Sequence, residues 1–448
     1  MLSTLICFGR HTITSMISAS GGQFRDWTAD YRLLSKRRFR AQPVFDVARD
    51  TVVAALGDDV PLVAGMDDTI VRKTGRQIPG VSYRRDPLSP PFQTNLVLGQ
   101  RFVQISAALP SDGPIGSARM IPIDFRHAPT LQKPGNSASD AEREQYRSAR
   151  RQLALSQVGV DRIKQLRVSM DASAGSASRA LWMVVDGSYT NRTVLRQLPK
   201  RTVLIGRVRG DARLSYEPDP KHLKNVGRHR VYGIDAPTPR ELLDDDSIPW
   251  QEHEIHVAGD KHPLKCKRLD RLRWRGAGGE RLLSVIVIAE VPYRGPRRKL
   301  QRRQPSFLIC TDTELPTKRV LQAYAWRWDI EVNFRDEKTL LGVGEAQVRN
   351  DVSVEAAPAL SVAAYSMLLL AATRCSSSFA RVELPPPKWR RKDKSCRTSL
   401  QDLVNALRAD LWADSIRDFR SFSALAAETA PPTKSAELLA SATLYSVA

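Results

Sequence analysis

Cysteine is scarce and scattered: Cys7, Cys266, Cys310, Cys375 and Cys396 are five in 448 residues, an odd number with no Cys-x-x-Cys pair. That excludes a disulfide framework and points to a reducing compartment. No N-terminal stretch joins a charged start to an apolar run and a small-residue cleavage site, so no secretory signal is expected. Long apolar runs are missing too. The nearest, residues 356–372, is dominated by alanine and interrupted by Pro358, Ser361 and Ser366, and reads as a buried helix rather than a membrane span. Acid is in deficit, with 48 Asp and Glu against 69 Lys and Arg, a net charge of +21. At 42% hydrophobic residues the chain is nevertheless too apolar for intrinsic disorder. Such a cation excess calls for a polyanionic partner. Nucleic acid, which releases condensed counterions for each phosphate neutralised, fits better than an anionic membrane.

What is present divides the chain into stretches of different character. Residues 1–58 look helical and basic, with Arg32, Lys36, Arg37, Arg38 and Arg40 close to Trp27 and a closing apolar helix at about 44–56. That pattern suits a small DNA-contacting module or a solvated charged face. Residues 61–67 form a short apolar run ending in Asp67, as expected of a central strand whose last residue emerges at the sheet edge. Two strand-like runs, 95–98 and 101–109, separated by Gly99-Gln100, read as a hairpin. A charged helical stretch at 139–168 leads to a second apolar run ending in acid, 180–186, closed by Asp186-Gly187. A short helix through Val194 and Leu195 and a third apolar run, 201–208, follow. Residues 210–304 change to short alternating strands and read as a separate β-rich insertion. One more strand at 306–311 precedes a long helix expected at 315–341, and the remainder is helical, broken by Pro385-Pro386-Pro387 and a basic patch at 388–394. No internal repeat is visible.

On the long helix, Tyr324, Arg327, Glu331 and Lys338 fall within an arc of about 60°, beside an apolar stripe of Ala323, Ile330, Phe334 and Leu341. A row of helical ion pairs is the plain explanation of such an arc. Two acid-ended strands in the same part of the chain give it another. Hydrolytic phosphoryl transfer needs several carboxylates to hold two divalent cations, and Asp67, Asp186 and Glu331 meet that need if the strands are neighbours. A Ser-His-Asp mechanism is not indicated, because no seryl elbow is present and the seven histidines are remote from these acids.

The spacing Tyr324-x2-Arg327-x3-Glu331-x6-Lys338 resembles the Tyr-Arg-Glu-Lys signature of the DDE transposases of bacterial insertion sequences. In that family the first acid commonly stands in Asp-x-Thr, matched by Asp67-Asp68-Thr69, and the second after an apolar run, matched by Val184-Val185-Asp186. The likeness runs from about residue 60 to 350. It implies an α/β fold: an RNase H-like mixed sheet flanked by helices, with a β-rich insertion domain and helical N- and C-terminal regions. The expected layout is 1–58 for DNA-end contact, 59–209 and 305–375 for the two parts of the core, 210–304 for the insertion, and 376–448 for a dimer or DNA contact. The resemblance further implies metal-binding catalytic residues Asp67, Asp186 and Glu331, holding two Mg2+ with Mn2+ as substitute, and DNA contacts from Tyr324, Arg327 and Lys338. Asp68 stays open as the alternative first acid, since strand alternation decides which of the pair faces the site. The implied partners are double-stranded DNA with transposon-end inverted repeats, target DNA and a second copy of the chain on paired ends, with no membrane. The implied location is the bacterial cytoplasm, at the nucleoid when bound. A catalytically inactive relative acting as an inhibitor is the alternative from a different functional class.

Weaker signals remain. The dense positive charge at 294–303, including Arg297, Arg298 and Lys299, reads as a phosphate-tracking surface. His253, His256, His262 and Cys266 raise zinc, but alternation sets His253 and His256 on opposite faces of a strand. Trp274, between two arginines, reads as core rather than as a base-stacking platform.

Overall fold

The computed structural model describes residues 1–448 apart from 87, 88, 91, 112, 114, 132, 220–228, 258, 259, 295–299, 375–397 and 419–448. Four helices open the chain: α1 (Leu2–Ile6), α2 (Ile13–Ala19), α3 (Thr28–Ser35) and α4 (Gln42–Ala55). Then come β1 (Leu62–Arg72), β2 (Ser82–Arg85), β3 (Leu96–Pro110) and β4 (Ala118–His127), and the helices α5 (Asp140–Gln152) and α6 (Leu155–Asp171). β5 (Leu181–Val185), α7 (Arg192–Arg196) and β6 (Thr202–Arg207) complete the first half. The β-rich stretch holds β7 (Leu214–Ser215), β8 (Asp235–Ala236), α8 (Pro239–Asp244), β9 (Gln251–Val257), β10 (Asp260–Trp274), β11 (Leu283–Ile288), β12 (Val291–Arg294) and β13 (Leu300–Arg303). β14 (Ser306–Cys310) leads into α9 (Thr317–Trp326), α10 (Asp329–Thr339), α11 (Ser353–Arg374) and α12 (Leu400–Asp418).

By compactness the chain forms two units, Met1–Ala48 with Val71–Gly99 and Asn333–Ala448, and Arg49–Ile70 with Gln100–Val332. In the first unit Leu34, Ala346, Val348, Val354, Ala357 and Leu360 share one apolar cluster. Helix α11 is long and apolar enough to cross a membrane, and 72% of its most apolar window is buried inside the protein. Two short strands in this unit, β2 and the start of β3, pair antiparallel through Ser82↔Gly99 and Arg85↔Leu96.

The second unit is organised by a mixed sheet, ordered β3-β1-β5-β6-β14-β11-β10-β7-β8, with β4 on β3 and β9 on β10. Its centre is parallel: Leu62↔Leu181 through Met66↔Val185 join β1 to β5, and Leu181↔Thr202 through Val185↔Gly206 join β5 to β6. β5 is Leu-Trp-Met-Val-Val, buried at every position, the pattern of a strand covered on both faces. Helices frame it, each begun by its own sequence: α5 by a Ser139/Glu142 capping box and α7 by the Asn191 side chain. This is the RNase H-like α/β arrangement, a mixed sheet flanked by helices. Cys7, Cys266 and Cys310 are buried free thiols, and burial pushes Cys310 up to about 12.

Three local expectations change. Residues 96–110 form one strand rather than a hairpin. Gly99 lacks the left-handed backbone that a two-residue hairpin turn requires, and the hairpin partner is β4, paired from Phe102↔His127 to Pro110↔Ala118. Of the described residues at 210–304, strands β7 to β11 build onto the core sheet, while β12 and β13 pair only with each other. Every residue of β11 is buried, and it is sealed on one edge by β10 and on the other by β14. The single helix at 315–341 is two. Between α9 and α10 the ladder tightens to three-residue spacing, with Trp328 N–H donating to Ala325 O (3.2 Å) and Ile330 N–H to Arg327 O (3.0 Å).

The Ile330 side chain at the start of α10 packs onto β1 at Gly65. A Cβ on Gly65 would stand 2.6 Å from Ile330 Cδ1 and 3.0 Å from Met120 Cε, beside a fully buried Ile330. Gly65→Ala is therefore expected to destabilise the protein by about 1–3 kcal/mol through overpacking, read as a lower urea midpoint at unchanged slope.

Candidate active site

The two aspartates meet because of register. Pairing of β1 with β5 ends at Met66↔Val185, so Asp67 and Asp186 follow the last paired residues of adjacent parallel strands. Asp67 does not end its strand, however. β1 continues to Arg72 after β5 has stopped, so Asp67 sits in mid-strand and is 9% exposed. Asp186 is half-buried in a tight turn, its carboxylate receiving Ser188 N–H (2.9 Å) and Ser188 Oγ–H (3.2 Å). These donors fix the rotamer and leave the remaining lone pairs to the site.

Alternation along β1 separates Asp67 from Asp68. Asp67 Oδ2 accepts from Arg327 Nη1 at 2.7 Å, and Asp67 Oδ1 from Asp68 N–H at 2.8 Å. Asp68 pairs with Arg101 Nε (3.1 Å) and accepts from the Tyr189 hydroxyl (3.3 Å). Tyr189 is fully buried, and its ring lies where a Cβ on Gly159 of α6 would stand, 2.6 Å from Tyr189 Cδ1. Burial, and after it the charges of Asp68, Asp67 and Asp186, drive the Tyr189 hydroxyl well above its ordinary range, so it remains a donor.

Glu331 lies in the first turn of α10, exposed, and adds its charge to the field at Asp67. Burial pushes the Asp67 carboxyl up to about 7 against the pull of Arg327, with Asp186 and Glu331 adding repulsion. Asp186 and Glu331 thus both act on the charge at Asp67. Arg327 is 6% exposed and turned in on Asp67, with the Tyr324 ring 5.5 Å and the Trp328 ring 5.9 Å from its guanidinium carbon. Trp328, 48% exposed, also carries the Arg303 guanidinium at 5.4 Å, which brings the end of the basic hairpin β12–β13 beside the Glu331 helix. Lys338 is exposed in the last turn of α10 and belongs to the first unit. Arg297, Arg298 and Lys299 lie outside the described residues.

Tyr189, Arg101 and Gly65 are parts of this site that sequence reasoning missed. Only Tyr189 had a usable signal, three residues beyond Asp186 in the turn that the acid opens.

Among the described residues no three acid, His or Cys side chains stand close enough to enclose an ion. The donor chemistry nonetheless suits a hard divalent cation: carboxylate oxygens that repel one another, one of them buried and already holding a cationic guanidinium. Asp67, Asp186 and Glu331 are the residues that would hold it.

Comparison with known proteins adds two findings. A family profile described as DDE superfamily endonuclease matches residues 1–278, which takes in Asp67 and Asp186 and stops before Glu331. No curated protein matches. Endonucleases of that superfamily generally use divalent metals.

The site makes a pH prediction whose sign is fixed. The folded Asp67 holds its proton more tightly than the unfolded chain does, about 7 against 3.8. Its contribution to stability is therefore full below about pH 4 and lost as pH rises through 7. Thermal melts of metal-free protein should show this loss, Asp67→Asn should flatten it, and added Mg2+ should raise the melting temperature more at pH 8 than at pH 5. Identical pH profiles for wild type and Asp67→Asn would refute the assignment.

Proposed function

Because the chain belongs to the DDE superfamily of endonucleases, we propose that it is a DNA transposase of the Tyr-Arg-Glu-Lys type, cutting DNA at transposon ends and joining the freed ends to target DNA. The observation that carries this reading is the placement of Asp67 and Asp186 at the same level of adjacent parallel strands, with Ile330 of the Glu331 helix against Gly65 of the first strand.

In the first step a water oxygen attacks the scissile phosphorus, the P–O3′ bond breaks, and a 3′-hydroxyl and a 5′-phosphate result. In the second the 3′-hydroxyl attacks a target phosphodiester and expels that strand's own 3′-oxygen. Bound Mg2+, two ions with Mn2+ as substitute, would lower the pKa of the attacking hydroxyl and neutralise charge on the leaving oxygen. The protein's own contribution is positional. Ser188 orients Asp186, while Arg101 and Tyr189 hold Asp68 and so fix the side of β1 from which Asp67 projects. Asp67 is thus the first acid in this reading and Asp68 its support.

Double-stranded DNA with inverted terminal repeats, a target duplex and a second copy of this chain are the proposed partners, in the cytoplasm at the nucleoid. The net charge of +21 and the exposed Arg302 and Arg303 of β13 support a phosphate-tracking role. Lys338 is assigned to the transposon end.

Magnesium-dependent nicking of a supercoiled plasmid carrying the element's ends tests the reading. Glu331→Gln keeps the side-chain volume and removes a charge, so nicking and strand transfer should fall by orders of magnitude while duplex affinity stays nearly constant. Lys338→Ala should weaken end binding, reduce the salt slope by about 0.9 and leave metal-dependent chemistry in place. Wild-type nicking by folded Glu331→Gln would sink the mechanism. Duplex binding by the wild type without any nicking would make the chain a non-catalytic DNA-binding relative.

A further inference from the structure

The Arg327–Asp67 pair is built unlike another largely buried Arg–Asp pair of the same unit. Arg162 grips Asp124 with two parallel bonds, Nε to Oδ2 and Nη2 to Oδ1, both at 2.6 Å. That is the bidentate fork of a permanent pair. Arg327 reaches Asp67 through a single bond, Nη1 to Oδ2 at 2.7 Å, although the two side chains are only 7% and 12% exposed. Its Nε has no hydrogen-bond partner. Beyond that bond the guanidinium meets the Tyr324 hydroxyl and lies beside the Tyr324 and Trp328 rings, so its remaining partners are neutral aromatic groups rather than a second carboxylate. Arg327 is also the residue at which α9 gives way to the tightened turn before α10. Trp328 extends the π surface outward to the side where Arg303 already lies on it.

We propose that Arg327 is an exchangeable internal cation: it neutralises Asp67 while the site is without metal, yields the carboxylate to a divalent ion, and moves along Trp328 to meet a DNA phosphate. The arrangement answers a problem the acid cluster poses, since carboxylates gathered at a sheet end repel one another unless a cation is present. It also couples the two ligands, because the metal releases the guanidinium that the phosphate takes up. The proposal rests on Asp67 being a metal ligand, and the experiment separates the two ideas.

Mn2+ affinity of the full-length, metal-free protein is measured by electron paramagnetic resonance of the free ion, with thermal melts in parallel. Arg327→Gln should bind Mn2+ on the order of tenfold more tightly than wild type, Arg327→Lys should stay near wild type, and Asp67→Asn should bind weakly. Arg327→Gln should also melt lower without metal and recover with Mn2+; a variant that Mn2+ does not rescue overturns the proposal. A short duplex should tighten Mn2+ binding more in wild type than in Arg327→Gln, and equal gains would overturn the outward movement. If Asp67→Asn loses Mn2+ but Arg327→Gln binds no better than wild type, the exchange is wrong and the metal site stands. If Asp67→Asn binds Mn2+ like wild type, the metal assignment itself fails.

Discussion

A buried carboxylate in the middle of a β-strand has to be compensated, and Asp67 imposes that requirement on everything around it. No side chain of the neighbouring parallel strand β5 supplies a cation, because β5 is wholly apolar and ends at Val185. The charge has to arrive from above the sheet. Arg327 supplies it, which obliges the chain to bring a helix end down onto β1 at that level. A glycine at position 65 leaves room for the Ile330 side chain, and the tightened turn at Arg327 and Trp328 divides α9 from α10. The missing side chain, the helix break and the ion pair are thus one solution to one electrostatic demand.

Two neighbouring acids acquire different work by the same logic. Asp67 faces Arg327 and the charges of Asp186 and Glu331, whereas Asp68 is tied to Arg101 on β3 and to the buried Tyr189 after β5. Because side chains on a strand alternate, anchoring Asp68 also anchors Asp67. Tyr189 in turn depends on Gly159, since a side chain there would occupy the space of its ring. A helix with a glycine under the tyrosine therefore belongs to the site's support even though it carries none of the acids.

The parallel centre of the fold was legible in the sequence because fully covered strands must be continuous apolar runs, and those at 61–67, 180–186 and 201–208 could be little else. So were Ser306–Cys310 and the helical character around Glu331. Periodicity failed where the backbone departs from one regular repeat. It read through the turn at Trp328, which keeps helical handedness while shifting from four-residue to three-residue bonding. It also took Gly99-Gln100 for a turn, although both residues are buried and extended within β3. The partner of Arg327 was illegible for another reason. An arginine on a polar helical arc looks solvent-facing, and only the fold reveals a carboxylate 260 residues away beneath it.

The path from β14 to Glu331 shows why the third acid comes from a helix that follows a long β-rich stretch. β14 lies three strands from β1, through β6 and β5, a distance of roughly 14 Å at the usual spacing between strands. Helix α9 leaves β14, passes over β6 and β5, and reaches β4, with Trp326 donating to Gly116 O in the turn before it. Its ten residues span about 15 Å. The helix is therefore as long as the crossing it makes, and it ends where Arg327 meets Asp67. Residues between β6 and β14 grow from the opposite side of β14, through β11 and β10. The same segment also returns to the helix, since Gln322 of α9 exchanges hydrogen bonds with the backbone of His256 on β9 and Arg303 of β13 lies on Trp328, so it braces the helix that carries the chain to Glu331.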